Sequence, residues 1–159
     1  MNVNAIVIGD SYTVSDATLL DMPAIWRLER ACFAKDAYDL LTLLNLAFTP
    51  NVMRLRAMCD ERLVGYLAGE VRRHERVGWI ITIGVLPRYE GRGIGTALLS
   101  SAERAMRNMV SYAKLTVRRS NERAIKMYER CGYRWVSTVR GYYHDGEDGL
   151  IMEKNLTLP

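Results

Sequence analysis

The sequence predicts a mixed α/β (α+β) domain in which helices cover both faces of one sheet, and three observations carry that prediction. Val77, Trp79, Ile81, Ile83 and Val85 alternate with other residues in the period-two pattern of a central strand. A glycine-rich turn follows, and then Ile94, Ala97, Leu98, Ala102, Ala105 and Met109 recur at helical spacing. The strand-like and helix-like stretches fall in the order βααβββαβαββ, and strands broken by two crossover helices build a mixed sheet.

Each element has a local reason. Residues 12–15 read as a short first strand, and Asp21 is placed to cap a helix whose early Pro23 needs no amide partner. Ile25, Leu28 and Cys32 share one face of that helix. Tyr38 to Phe48 supplies Leu40, Leu41, Leu43 and Leu44 to a second helix, which stops before Pro50. Residues 52–58 and 63–71 read as strands joined through Asp60-Glu61, a polar pair suited to a hairpin turn. Pro87 ends the central strand. Ala113, Leu115 and Val117 mark the next strand, Asn121 caps a helix with Glu122 in its first turn, and Gly132 ends it. Two closing strands, near residues 133–139 and 150–154, flank a loop rich in tyrosine, aspartate and glycine, which makes seven strands.

At 159 residues the chain is read as a single domain over 1–159. Its 49% apolar and 25% charged residues exclude disordered and collagen-like classes. No apolar run approaches the roughly 18 residues of a membrane span, and no signal segment is read at the start, so no membrane and a cytoplasmic location are expected. Three widely spaced cysteines and two histidines suit neither a disulfide framework nor a metal cluster. A net charge of +4 with grouped arginines suits phosphates, either of nucleic acid or of a cofactor.

The loop Arg88-Tyr89-Glu90-Gly91-Arg92-Gly93-Ile94-Gly95-Thr96 joins a strand to a helix. Glycines let backbone amides approach a ligand, and a helix N-terminus adds unpaired N–H groups, so the place suits a pyrophosphate. The bland alternative is a tight turn that admits close helix-to-strand packing. The dinucleotide fingerprint fails at Thr96 or Leu98, and the P-loop fails for want of a lysine before Thr96.

The second segment runs from Asn121 through Ala124 and Tyr128 to Gly132-Tyr133. Together the two segments resemble the GNAT superfamily of N-acetyltransferases, with its Gln/Arg-x-x-Gly-x-Gly/Ala loop and Asn-x-x-Ala-x-x-x-Tyr-x-x-x-Gly-Phe/Tyr helix. Glu90 is the one departure in the first motif. Ile25 to Phe33, Leu115 to Asn121 and Arg140 to Met152 resemble the ribosomal-protein-alanine and protein N-terminal acetyltransferases within that superfamily.

That resemblance implies a mostly antiparallel seven-stranded sheet, acetyl-CoA as cofactor with no metal, and a protein or peptide N-terminus as acceptor. It implies cofactor contacts from Ile83, Gly84 and Val85 on the strand, from Gly91, Gly93, Ile94, Gly95 and Thr96 on the loop, and from Asn121 and Tyr128. Arg88 and Arg92 are expected to reinforce the phosphate site. The Val85 amide would polarise the thioester carbonyl and Tyr128 would act as general acid, its reference pKa near 10 keeping it protonated. Phe33, Tyr38, Tyr142 and Tyr143 would hold the peptide.

The base is less direct. Relatives carry Glu or His where this chain has Thr116, so Glu29, then Glu70, are candidates, with Asp36 or a water chain on Thr116 behind them. Glu90 is expected to point outward or to pair with Arg88 or Arg92, since a carboxylate beside a pyrophosphate is repelled by about 1 kcal/mol when solvated. A lysine or small-amine acceptor keeps the same cofactor, and Thr116 with Glu90 leaves room for a non-catalytic acyl-CoA sensor. No nucleic acid partner is expected, because no helix is uniformly basic and no aromatic ladder lies on adjacent strands. An oligomer or an auxiliary subunit is left open.

Overall fold

The computed structural model of the protein describes residues 6–7 and 12–157. Its strands are β1 (Ile6–Val7), β2 (Thr13–Asp16), β3 (Val52–Cys59), β4 (Arg62–Arg72), β5 (Val77–Val85), β6 (Tyr112–Arg118), β7 (Arg134–Val139) and β8 (Gly149–Asn155). Its helices are α1 (Met22–Phe33), α2 (Leu40–Phe48), α3 (Ile94–Met106) and α4 (Glu122–Arg130). The seven expected strands are present, and the two-residue β1 adds an eighth that the sequence reading did not include.

All eight strands form one sheet in the order β1-β2-β3-β4-β5-β6-β8-β7. Neighbours are antiparallel except β5 and β6, which run parallel. The α1 and α2 side chains pack on one face with Tyr66 and Ala68 of β4, while α3 and α4 cover the other with Leu55, Leu67 and Leu115. Asp60 and Glu61 both take positive φ, 45° and 62°, in the two-residue turn between β3 and β4, as hairpin twist demands.

The apolar alternation along β5 does not describe one face. Ala68 pairs with Thr82 but Gly69 with Ile80, which leaves Ile81 as a bulged extra residue. The bulge reverses the inward set. A Cβ on Gly78 would strike Met106 of α3, whereas one on Gly84 would meet Leu28, Cys32 and Phe33 of α1.

The bulge lies where the sheet opens. Pairing between β5 and β6 runs from Val77 and Tyr112 only to Ile80 and Leu115. Beyond it, β5 stays on β4 as far as Val85 opposite Gly65, and β6 stays on β8 as far as Arg118 opposite Gly149. Each strand therefore carries one unpaired edge, and the two edges face a common gap.

Asp21 occupies the N-cap position of α1 without capping it. Its carboxylate instead accepts the Thr18 amide and hydroxyl at 2.7 and 2.9 Å and pairs with Arg56 at 2.5 Å. In α2, Leu43 and Ala47 are buried but Leu41 and Phe48 stand exposed, so the leucine run is only half used in the core.

Leu98, wholly buried where α3 crosses the sheet, tests the assignment of this face. Leu98→Ala is expected to cost about 2 to 5 kcal/mol by cavity formation, read from the denaturant midpoint. A loss no larger than that of an exposed leucine would place α3 elsewhere.

Candidate active site

The gap between β5 and β6 opens into a cavity of about 410 Å³. Ile83, Gly84 and Val85 form one wall, the Gly91 to Thr96 loop and first turn of α3 form the second, and Asn121 and Tyr128 belong to the third. Ten of the twelve residues expected at the cofactor thus line one space.

Strand geometry decides which β5 groups face it. The Leu86 N–H donates to Val64 O at 2.8 Å, toward β4. Successive residues of a strand turn their backbone groups to opposite sides, so Val85 and Ile83 direct theirs to the open edge. The Cys32 thiol reaches over from α1 and donates to Val85 O at 3.2 Å, which leaves the Val85 N–H as the unengaged donor.

The loop is shaped by two glycines in the left-handed region, Gly91 at φ +76° and Gly93 at +80°. A Cβ on Gly91 would meet nothing within 4 Å, so that corner of the cradle is empty space. Gly93 is the N-cap of α3 and offers no side-chain cap, and the first intrahelical bond is Ala97 N–H to Gly93 O at 2.9 Å. The amides of Ile94, Gly95 and Thr96 precede it and are left for an outside acceptor.

In α4 the motif residues are capping residues. Asn121 Oδ1 accepts the Ala124 N–H at 3.1 Å, leaving its NH₂ group free to donate. At the other end, Gly132 N–H bonds to Glu129 O at 2.9 Å and Tyr133 N–H to Tyr128 O at 3.0 Å, with Gly132 at φ +91°. That is the Schellman arrangement. Its accompanying apolar contact is the Tyr128–Tyr133 ring pair, centroids 6.0 Å apart. Burial raises the Tyr128 phenol above its ordinary range, with Tyr143 and Cys131 adding to the shift, so it stays protonated.

Glu29 projects from the middle of α1 and is 1% exposed. Thr82 Oγ1 donates to its Oε1 at 2.7 Å, while Oε2 has no partner among the described residues. Burial raises its pKa, against the Thr82 hydroxyl and the Tyr38 amide. Burial, with the Glu29 and Glu90 charges adding, pushes the Cys32 thiol up to about 12; Glu90 lines the cleft, whereas the buried Glu29 is not among its lining residues.

The other base candidates lie elsewhere. Glu70 sits opposite Trp79, toward the paired end of β5, and its carboxylate accepts Arg72 Nε at 2.8 Å. Asp36 is held by Arg118 through two bonds of 2.6 and 2.8 Å. The Thr116 methyl lies 2.7 Å from where a Gly149 Cβ would stand and does not line the cleft.

Phe33 lines the cleft, whereas Tyr38, Tyr142 and Tyr143 are not among its lining residues; burial raises the Tyr38 phenol, with Tyr142 and Glu29 adding. The Tyr142 and Tyr143 rings meet edge to face, centroids 5.0 Å apart. Arg118 lies over the Tyr143 ring at 4.0 Å and bonds to Asp36, so the tyrosine pair stands near the turn that joins Phe33 to Tyr38.

Three expectations need correction. Arg88 and Arg92 do not line the cleft; Arg92 lies over the Tyr89 ring at 5.0 Å. Arg123 and Arg130 line it in their place. Glu90 does not turn outward or pair with Arg88 or Arg92: it lines the cleft and pairs with Arg123. The helical spacing of Arg123, Met127 and Arg130 was the signal for the α4 arginines, since Met127 also faces the cleft.

A sheet split between parallel strands, with a glycine cradle at a helix N-terminus and a buried phenol opposite, fits an extended acyl-coenzyme A, and defines an acyl-CoA-dependent transferase. Residues 22–133 match the model of the acetyltransferase (GNAT) family. An uncharacterized N-acetyltransferase of Methanocaldococcus jannaschii is 37% identical over 137 residues, 84% of this chain and 85% of that protein. An N-alpha-acetyltransferase of Sulfurisphaera tokodaii is 29% identical over 156 residues, 91% of this chain and 93% of that one. The crystal structure of the ribosomal-protein-S18-alanine N-acetyltransferase of Escherichia coli superposes with a TM-score of 0.83 at 25% identity, covering 93% of this chain and 96% of that one. The chain belongs to the GNAT acetyltransferase family and is an acetyl-CoA-dependent N-acetyltransferase.

Gly93→Ala forces a side chain into the left-handed region, at a strain of about 1 to 2 kcal/mol, which shifts the loop whose amides form the cradle, while its Cβ meets only the Tyr12 hydroxyl at 3.5 Å. Acetyl-CoA affinity measured by calorimetry is expected to fall at least about fivefold. Unchanged affinity would remove the loop from the binding site.

Proposed function

We propose that the acceptor is the α-amino group of a protein or peptide N-terminus and that Glu29 and Tyr128 are the base and acid of the transfer. The observation that carries this reading is the Glu29 carboxylate held on the Thr82 hydroxyl, one residue from Ile83 of the cleft wall, whose lining also includes Phe33 and Tyr128. The N-alpha-acetyltransferase relatives support the same acceptor class.

Acetyl-CoA supplies an acyl group activated as a thioester. The Val85 N–H is placed to donate to a carbonyl oxygen on the open edge of β5, where charge gathers during acyl transfer. Glu29 accepts a proton from the incoming ammonium at Oε2, the oxygen that Thr82 leaves unbonded. An α-ammonium ion has a reference pKa of roughly 7.7 to 8.0, so a carboxylate buried as Glu29 is needs only modest basicity. Tyr128 holds the proton that a departing thiolate requires, and its raised pKa keeps that proton in place until then. Phe33, Tyr38, Tyr142 and Tyr143 exclude water and orient the first residues of the acceptor. The cytoplasm is the compartment this reading assigns.

Incubation with acetyl-CoA and peptides varied at their first two residues, read by mass spectrometry, is expected to show acetyl groups on α-amines. Acetylation of lysine side chains alone would sink the acceptor assignment. Tyr128→Phe is expected to lower kcat about 10²- to 10⁴-fold with little change in acetyl-CoA affinity; equal turnover would deprive it of the acid role.

The pH profile follows from Glu29. A carboxyl whose pKa is raised keeps its proton above the ordinary 4.5, so kcat is expected to rise with pH through an acidic limb displaced upward from that value. Glu29→Gln should abolish that limb. A limb that persists unaltered in the variant would assign it to another group.

A further inference from the structure

The densest polar contact among the described residues lies outside the acid and base. Arg118, the last residue of β6, bonds to Asp36 through Nε and Nη2 at 2.6 and 2.8 Å, and its Nη1 reaches Asp145 at 3.0 Å and Glu147 at 2.5 Å. Its guanidinium also lies over the Tyr143 ring, 4.0 Å from the centroid. Asp36 belongs to the turn after α1, three residues past Phe33 and two before Tyr38. Asp145 and Glu147 belong to the loop between β7 and β8, beside Tyr142 and Tyr143.

That loop is a self-bonded unit. Tyr143 N–H donates to Glu147 O at 3.1 Å, Gly146 N–H to Tyr143 O at 2.8 Å, and Gly141 N–H to an Asp148 carboxylate oxygen at 3.0 Å. It is stitched to the turn before α4 by Ser120 N–H on Glu147 at 2.7 Å. Among the described residues, the α1–α2 turn has no comparable tie to it. Arg118 is the link between them.

We propose that Arg118 is a positioning residue that fixes the width of the peptide opening by clamping the Phe33–Tyr38 segment to the Tyr142–Tyr143 loop. The inference rests on the peptide acceptor assigned above for its kinetic consequence, but the clamp itself does not. Three carboxylates on one guanidinium make the clamp asymmetric. With Arg118 absent, Asp36 faces Asp145 and Glu147 as like charges and the two flanks repel. Lysine is a poor substitute, since a single ammonium cannot hold a fork on Asp36, reach two further carboxylates and cover a ring at once. The residue stands one β6 position beyond Val117, and its side chain lies outside the cavity lining.

Arg118→Lys, Arg118→Ala and Asp36→Asn separate these effects. Each is expected to raise the peptide KM about tenfold or more, while calorimetry gives acetyl-CoA affinity within about twofold of the parent protein. In hydrogen exchange, residues 34–38 and 141–147 are expected to loosen together in all three variants. The conservative Asp36→Glu is expected to recover part of the KM. An unchanged KM with acetyl-CoA affinity intact, or loosening of one segment only, overturns the clamp. If Arg118→Ala does not fold, the other two variants decide. If the parent protein acetylates no peptide, the acceptor assignment has failed while the exchange measurement still tests the link between the segments.

Discussion

The site depends on a pairing that stops. Four residue pairs join β5 to β6, and at the next position β5 bulges at Ile81 and the strands part. An unpaired strand edge inside a sheet is costly unless something bonds to it. Here the edge of β5 is left with amides and carbonyls at the floor of a cavity, and an extended ligand with its own amides is the chemical complement. The bulge has a second effect. By reversing the inward set it turns Thr82 toward α1, where it bonds to Glu29, and directs Ile83 and Val85 toward α3 and α4. One extra residue thus stands where the strands part and turns Thr82 onto the Glu29 carboxylate.

The same economy appears in α4. Its Asn, Tyr, Gly and Tyr positions read at first as a family signature, but each has a local physical task. Asn121 closes the N-terminus, Gly132 supplies the left-handed residue at the C-terminus, and the amide of Tyr133 bonds to the carbonyl of Tyr128. The cap therefore fixes the backbone of the residue whose phenol faces the cleft. Ala124 in the first turn lets ligand and backbone approach, where a larger residue would fill the cavity. The spacing from Asn121 to Gly132 is set by the length of the helix that must hold both ends at once.

Much of this was legible in the sequence, and the gaps have physical reasons. The main strands were placed to within a residue or two of their ends because alternation, prolines and glycines agreed. The two-residue β1 carries too little pattern to be read. The bulge was invisible because Val77, Trp79, Ile81, Ile83 and Val85 alternate without interruption; only Thr82, a lone hydroxyl between isoleucines, marked a buried polar pair. Arginines adjacent to the glycine loop were expected at the phosphate site, yet proximity in sequence says nothing about direction. The turn at Pro87–Tyr89 carries Arg92 across a tyrosine, and the cleft-facing cations come from the helix opposite. The clamp at Arg118 joins residues 82 and 27 positions away, a separation at which no local pattern speaks.

Cys32 stands where a strand partner would, bonded to the Val85 carbonyl at the heart of the cleft. Sulfur nucleophiles exchange acyl groups with thioesters only as the anion, and at neutral pH a thiol near 12 is ionised to roughly one part in 10⁵. Burial against the Val85 carbonyl thus holds the Cys32 sulfur on the wall of the cleft in its weakly nucleophilic thiol form.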